Sequence, residues 1–140
     1  MSHDSLIKLL LKDKLHSKNE ESKEFIDYER QLLLKILNAS PEATVITDLN
    51  GYVVFASKRL LELFRITTNN YIGMPVFNWI APDNVEKAIA NMSHFAKGVQ
   101  PAYTQYHLLR EDGTSFVGEI DASIVKDENG IPFAIFSNIF

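Results

Sequence analysis

Three glycines, each directly after an asparagine or an aspartate, separate short runs of strand-forming residues in this 140-residue chain. The pairs are Asn50-Gly51, Asp112-Gly113 and Asn129-Gly130. Such pairs are typical of tight hairpins in which both central residues adopt a positive φ. The sequence therefore predicts three hairpin turns.

The runs beside these turns predict the order of the elements. Strand-forming residues occupy 44–47, 52–56, 103–109, 116–125 and 131–136. The long stretch between the second and third runs has patterns typical of helices, broken at its centre into short helical turns. Two strands, then helices, then three strands predict an α+β fold: a five-stranded antiparallel sheet with helices on one face. Ser57 stands where the N-cap of the first of these helices is expected.

Residues 1–38 differ from the rest, because they contain no glycine or proline and are rich in lysine, glutamate and leucine. A polar stretch, 17–23, separates two helical segments. In the second segment apolar residues recur at helical spacing and form two adjoining stripes. The first stripe is Phe25, Tyr28, Leu32 and Ile36, and the second is Ile26, Leu33 and Leu37. We predict an amphipathic helical extension over 1–38 and a folded domain over 39–140, with the boundary near Pro41.

The extension has two readings, which are compatible because two stripes can serve two partners. It packs on its own domain, or it is shared with a second subunit. Phe136 and Phe140 alternate with Ile135 and Ile139, so they are expected on the sheet face away from the other helices. Apolar patches of this kind usually have a partner, so we predict a homodimer through the N-terminal helix and the outer sheet face.

Composition excludes several classes of function. The net charge is −4, which argues against nucleic acid as a partner. Cysteine is absent, so disulfides, thiolate metal sites and cysteine nucleophiles are excluded, and a reducing, cytoplasmic location fits. The apolar run at 6–11 is far shorter than the ~20 residues of a membrane span, so no membrane contact is expected. No nucleophile lies beside a base, so the chain is not expected to be an enzyme.

Four segments, in order, resemble a known family. The run 40–57, Ser-Pro-Glu-Ala-Thr-Val-Ile-Thr-Asp-Leu-Asn-Gly-Tyr-Val-Val-Phe-Ala-Ser, resembles the opening of a PAS domain. The segments 71–83, 109–119 and 125–133 resemble its middle helices, its fourth strand and its final hairpin. The resemblance covers about residues 38–140 and is strongest to the PAS modules of sensor histidine kinases.

The resemblance implies a sensory and regulatory module of a larger signal-transduction protein, here a two-component sensor histidine kinase. Such modules sense ligands, light or redox state, or dimerise, and pass the result to an effector, which is expected after Phe140. The alternatives are a ligand-free dimerisation module with a filled core, and a PAS domain of a transcription regulator or a cyclase.

The same resemblance bears on cofactors. Photochemical flavin and covalently linked chromophores need a reactive cysteine in this family, and the chain has none. Haem-binding members use a histidine, for which His94 is the candidate here. At ~100° per residue His94 lies opposite the face made by Val85, Ile89 and Met92, so it is expected to point to solvent. No cofactor and no metal site are predicted.

A glycine on a central strand indicates where a ligand would bind. Gly118 takes an inward position where a large side chain is expected, so the missing volume indicates a cavity, a bulge or the close approach of a helix. A cavity there would hold a small, largely apolar ligand between Trp79, Met92, Phe116 and Ile120. The alternative role for Trp79 is that of a core residue. The many large apolar residues of the chain favour a filled core without a cavity. His107, Asp48 and Asp121 are expected in structural, capping or solvated roles.

Overall fold

The computed structural model describes residues 20–99 and 104–140. The first of the two predicted N-terminal helical segments falls in residues 1–19 and lies outside the described residues. The described elements follow in the order α1 (Glu20–Ala39), β1 (Ala43–Thr47), β2 (Val53–Ala56), α2 (Lys58–Leu63), two 3₁₀ turns (Val76–Trp79 and Pro82–Asn84), α3 (Val85–Ala96), β3 (Thr104–Leu109), β4 (Ser115–Lys126) and β5 (Pro132–Ile139).

The five described strands form one antiparallel sheet in the order β2-β1-β5-β4-β3. The last strand, β5, lies in the centre of the sheet, between β1 and β4. The predicted α+β fold with a five-stranded antiparallel sheet is confirmed, and so is the N-terminal helix. The division of the chain at residues 38 and 39 stays a prediction.

The three predicted hairpins form, but their turns differ from the predicted type. The glycines have a positive φ, at Gly51 (87°), Gly113 (89°) and Gly130 (78°). The residues before them do not, because Arg65 is the only residue other than glycine with a positive φ in 20–99 and 104–140. The prediction that both central residues adopt a positive φ was therefore wrong.

Each turn is instead of type I, followed by a glycine in the left-handed region. In the first, the carbonyl oxygen of Asp48 accepts a hydrogen bond from Gly51 N at 3.1 Å. The Asp48 carboxylate Oδ1 also accepts from Asn50 N at 2.9 Å and from Tyr52 N at 3.0 Å. Asp127 makes equivalent contacts in the last hairpin. The aspartate before Asn-Gly thus stabilises this three-residue loop over the two-residue loop.

One hydroxyl group joins the first hairpin to α2. Ser57 Oγ accepts hydrogen bonds from Leu60 N at 3.3 Å, as the predicted N-cap, and from Thr44 N at 3.0 Å. Ser57 is fully buried. The cap therefore fixes both the start of the helix and its position on β1.

Helices cover the inner face of the sheet and part of its outer face. The 3₁₀ turns, α2 and α3 lie over the inner face, where most of the buried apolar side chains are found. On the outer face Ile46, Phe55 and Phe136 form a cluster with Leu34 and Leu37 of α1. The N-terminal helix therefore packs on its own domain, which is the first of the two readings.

The other stripe of α1 faces solvent. Tyr28 is 67% exposed, Leu32 45% and Ile36 58%. Phe136, which the sequence placed on a dimer surface, is instead half-buried beneath α1. Phe140 remains 55% exposed. The apolar surface available to a partner is therefore mainly on the helix and less on the sheet than predicted.

Candidate functional site

A cavity of about 80 Å³ lies between the inner face of the sheet and the helices. Its floor comes from inward-pointing residues of β1, β3, β4 and β5, and its roof from α3, the 3₁₀ turns and the end of α2. The lining residues are Val45, Thr47, Phe64, Val76, Phe77, Trp79, Ile80, Ala88, Asn91, Met92, Phe95, Thr104, Tyr106, Leu108, Ile120, Ala122, Ile135, Ser137 and Ile139.

Aromatic side chains make one wall rigid. Trp79 is 5% exposed, and its ring centroid lies 5.3 Å from that of Phe64, with the planes tilted by 31°. Phe116 meets the other side of Phe64 edge-on at 5.4 Å. Tilted and edge-on pairs are favourable arrangements of aromatic rings, so this wall keeps its shape.

The cavity also has a small number of polar groups. Asn91 Nδ2 donates a hydrogen bond to the hydroxyl oxygen of Tyr106, and Lys87, which does not line the cavity, has its Nζ 4.7 Å from the centroid of the same ring. Burial raises the pKa of the Tyr106 phenol, while the hydrogen bond from Asn91 acts in the opposite direction. Tyr106 therefore stays neutral at physiological pH and keeps its proton to donate.

A second polar group has no partner. Thr47 is 4% exposed, and among the described residues nothing forms a hydrogen bond with its Oγ1. A buried hydroxyl group without a partner destabilises the fold. Thr44, on the opposite face of the same strand, shows the usual arrangement, since its Oγ1 donates to Asn138 Oδ1 at 2.7 Å.

Three of the five predicted pocket residues, Trp79, Met92 and Ile120, lie in the cavity wall. Phe116 and Gly118 are not among the lining residues. A Cβ atom at Gly118 would lie 2.6 Å from Leu108 Cδ1, so that side chain fills the space left by the glycine. The small residue makes room for the Leu108 side chain of the neighbouring strand, and Gly118 itself does not line the cavity.

Sequence reasoning missed the five polar residues of the wall among the described residues, which are Thr47, Asn91, Thr104, Tyr106 and Ser137. Thr47 ends an apolar strand, and a threonine in an otherwise apolar inward row was a signal that went unused. Tyr106 and Asn91 meet only because α3 crosses β3, a contact 15 residues apart in the chain that no local pattern indicates.

The remaining candidates take the structural roles expected of them. His94 is exposed, as predicted, although Ile89 from the supposedly buried face is itself 52% exposed. His107 Nδ1 lies 2.9 Å from Asp83 Oδ2 at the surface. Asp121 is exposed.

Two kinds of feature, a metal site and a membrane-spanning helix, are absent from the described residues. Residues 20–99 and 104–140 contain no group of three histidine, cysteine or acidic side chains placed to hold a metal ion. Within the same residues, no helix combines the length and the apolar character needed to cross a membrane.

Solved structures of low sequence identity share this fold. The PAS domain of a protein from Colwellia psychrerythraea has a TM-score of 0.70 at 19% identity, over 79% of this chain and 93% of that one. A PAS domain from a two-component sensor histidine kinase has 0.67 at 10% identity, over 81% and 96%. A light-oxygen-voltage domain studied with a flavin analogue has 0.65 at 19%, over 78% and 83%.

Comparison with sequences leads to the same family. A search of curated proteins found no match. The sequence model of the family described as PAS fold matches residues 37–137. Since this match spans well over half of the chain, and the sheet order and helices agree with it, the chain belongs to the PAS family of sensory domains.

Proposed function

We propose that this domain is the sensory module of a larger signal-transduction protein, a sensor histidine kinase, and that it responds to a small molecule in the cavity. The observation that carries this proposal is the cavity itself, which lies under the sheet while the N-terminal helix lies on the opposite face. Trp79, Met92 and Ile120 are the binding residues that the sequence and the cavity share. The domain works in the cytoplasm, and the effector follows it in the larger protein.

Two strands connect the cavity with the helix. On β5, Ile135 and Ile139 line the cavity, while Phe136 between them packs in the cluster beneath α1. On β1, Val45 lines the cavity and Ile46 packs in that cluster. Because successive side chains of a strand point to opposite faces, a ligand that moves these strands also moves the outer surface on which α1 packs. The signal is a repacking of α1 between two states.

Filling the cavity tests this relay. Ala122→Val adds two carbon atoms to a lining residue of β4 and mimics part of a ligand. We expect the amide hydrogens of α1 to change their exchange rates severalfold in this variant, because the helix repacks. Val117→Ala, at an exposed position of the same strand, is the matched control and leaves α1 unchanged. Equal exchange in α1 for both variants, with both folded by circular dichroism, argues against the relay.

The partner in this proposal is a second copy of the chain. The stripe of Tyr28, Leu32 and Ile36 is apolar and exposed, and it runs along the side of α1 away from the sheet cluster. Pairing of two such stripes, next to the outer sheet face, would let each helix report its repacking to the other subunit. The geometry of the dimer then carries the signal to the effector.

Sedimentation equilibrium at micromolar concentration tests the dimer. The intact chain is expected to be dimeric, and the double variant Leu32→Asp with Ile36→Asp to be monomeric, because two buried carboxylates oppose pairing. Gln31→Asp, at an exposed position of the same helix outside the stripe, is the control that adds a carboxylate without altering the stripe. A monomeric intact chain, or an unaltered dimer of the double variant, contradicts the proposal.

The second candidate is a dimerisation module without a ligand, and the small size of the cavity favours it. The test above separates the two functions, since a module of this kind dimerises but does not respond in α1 to Ala122→Val. A PAS domain of a transcription regulator or a cyclase would use the same relay with another effector.

A further inference from the structure

We propose that the cavity selects a slender, uncharged molecule that is mainly hydrocarbon and carries one hydroxyl group, as in a short linear aliphatic alcohol, and that this group binds between Thr47 and Ser137. The inference rests on the proposed sensing function and names the chemical class of its ligand.

The wall excludes charge. Among residues 20–99 and 104–140, those that line the cavity include no aspartate, glutamate, lysine, arginine or histidine. Transferring an ion from water to such surroundings without a partner is strongly unfavourable. A carboxylate such as a fatty acid, or an amine cation, is therefore a poor ligand, and a neutral molecule is favoured.

Size and shape favour a short chain over a ring. The cavity volume is about 80 Å³, roughly half of the ~150 Å³ cavity that accommodates benzene in another protein. The lining extends along β5 from Ile135 to Ile139, about 13 Å at ~3.3 Å per residue. A small volume spread over such a length suits a short chain of a few carbon atoms better than a compact ring.

The unpaired hydroxyl group of Thr47 identifies the polar end. The side chain belongs to the cavity wall, and within the part of the chain that the structure describes its buried Oγ1 has no hydrogen-bond partner. A rotation about χ1 exchanges the methyl and hydroxyl groups of a threonine, so Oγ1 can turn to a bound molecule without movement of the strand. A ligand that pairs with it removes a destabilising feature of the empty domain.

Ser137 supplies the second hydrogen bond. In the pairing of β1 with β5, Val45 is opposite Ser137 and Thr47 is opposite Ile135, so the two hydroxyl-bearing residues are diagonal neighbours on the inner face. Diagonal neighbours are about 7–8 Å apart, which leaves room for one small group between their side chains. A hydroxyl group can donate to one residue and accept from the other, whereas a carbonyl group only accepts.

Titration of the full chain, labelled with ¹⁵N, measures this preference by NMR. The probes are 1-butanol, 1-chlorobutane as a chain of similar length without a hydrogen-bond donor, and benzene as a compact ring. We expect 1-butanol to bind at least about tenfold more tightly than 1-chlorobutane, because its hydroxyl group adds hydrogen bonds to Thr47 and Ser137. Benzene is expected to bind more weakly than either.

Two threonine variants assign the preference to its residue. Thr47→Val keeps the shape of the side chain but leaves only the hydrogen bond to Ser137, so its preference for 1-butanol should fall severalfold and the melting temperature of the empty domain should rise. Thr44→Val is the matched control: it loses a satisfied hydrogen bond on the opposite face, so its melting temperature falls while the preference for 1-butanol persists. Both results together support the assignment.

The outcomes separate this inference from the sensing function. Equal binding of the two chains by the intact protein, or an unchanged preference in Thr47→Val, overturns the hydroxyl assignment but leaves a ligand-binding cavity. A water molecule held between Thr47 and Ser137 that 1-butanol does not displace also overturns it. If none of the probes binds and Ala122→Val leaves α1 unchanged, the sensing function fails as well.

Discussion

Arg110 donates a hydrogen bond from Nε to the main-chain carbonyl oxygen of Leu63 at 3.0 Å. Leu63 is the last residue of α2, where carbonyl oxygens have no donor within the helix. The same guanidinium group lies 4.2 Å from the centroid of the Phe116 ring. One side chain at the end of β3 therefore holds the C-terminus of α2 and the aromatic wall that follows it.

Replacing this side chain should loosen that corner of the domain. Arg110→Lys keeps the charge but loses the planar group that both contacts use, so we expect a decrease of about 1–2 kcal/mol in the free energy of unfolding. Urea denaturation measures it. Arg59→Lys is the control, because its ion pair with Glu62 at 3.6 Å is exposed, and a change below about 0.5 kcal/mol is expected. Equal decreases in unfolding free energy for the two substitutions would mean that the two contacts of Arg110 do not stabilise the fold.

Removing the Ser57 hydroxyl group should be more severe. Ser57→Ala leaves Leu60 N without its cap and Thr44 N buried without a partner. The expected loss is about 2–3 kcal/mol of unfolding free energy, the sum of a cap and an unpaired buried donor. Thermal and urea unfolding give the value.

Ser40→Ala provides the comparison for Ser57, since Ser40 Oγ accepts a single hydrogen bond among the described residues, from Glu42 N at 3.2 Å. We expect it to lose less than about 1 kcal/mol. A Ser57 variant as stable as the Ser40 variant would refute the double role of the buried cap.

Gly118→Ala probes how the space beside the cavity is filled. The new methyl group would lie 2.6 Å from Leu108 Cδ1, so this side chain must turn, and Leu108 is itself a cavity wall residue. We expect a loss of about 1–2 kcal/mol from overpacking and weaker binding of 1-butanol, since Leu108 is displaced into the cavity. The double variant with Leu108→Val should recover part of both. If the two substitutions are simply additive in unfolding free energy, the contact is not the cause.

Local chemistry explains how far the sequence predicted this structure. The order of the elements follows from residues that act on their neighbours: Gly51 at a turn, Ser57 at a helix start, Pro75 within a broken helix. The turn type was missed because the Asp48 side chain competes with the two-residue loop, a contact of a side chain with the main chain that the Asn-Gly pattern does not include.

The cavity depends on contacts between distant strands, which a periodic pattern does not contain. Gly118 lies on the inner face, as predicted. Leu108, on the partner strand, fills the space that a side chain at residue 118 would occupy. Thr47 and Ser137 become neighbours only through the register of β1 with β5. The wall residues found from sequence were those whose own burial was predictable, such as Trp79 and Ile120.

Purified protein should carry neither haem nor flavin. His94, the candidate ligand for haem, is exposed on α3 and is not among the cavity residues, and the sequence has no cysteine for flavin photochemistry. The cavity of about 80 Å³ is also too small for either group without rearrangement. Protein from cells supplied with a haem precursor and riboflavin is expected to show no visible absorption band beyond the scatter baseline. A stoichiometric visible band contradicts this prediction.

The hairpin between β3 and β4 should make stability depend on pH in the acid range. Hydrogen bonds from Thr114, and from Arg65 at 2.6 Å, hold the pKa of the Asp112 carboxyl well below its ordinary value of 3.8. A lowered pKa in the folded state means that the ionised group stabilises the fold above pH 3.8 and that this contribution disappears as the pH falls below it. The difference in melting temperature between the intact chain and Asp112→Asn should therefore be constant from about pH 7 to 5 and shrink steadily below about pH 4.

Thr114→Val should reproduce part of this effect, because the Thr114 hydroxyl group is the largest cause of the lowered pKa of Asp112. A salt concentration of about 1 M should weaken the contribution of Arg65. If the difference in melting temperature between the intact chain and Asp112→Asn stays constant down to pH 3, this exposed carboxylate makes no net contribution to the stability of the fold.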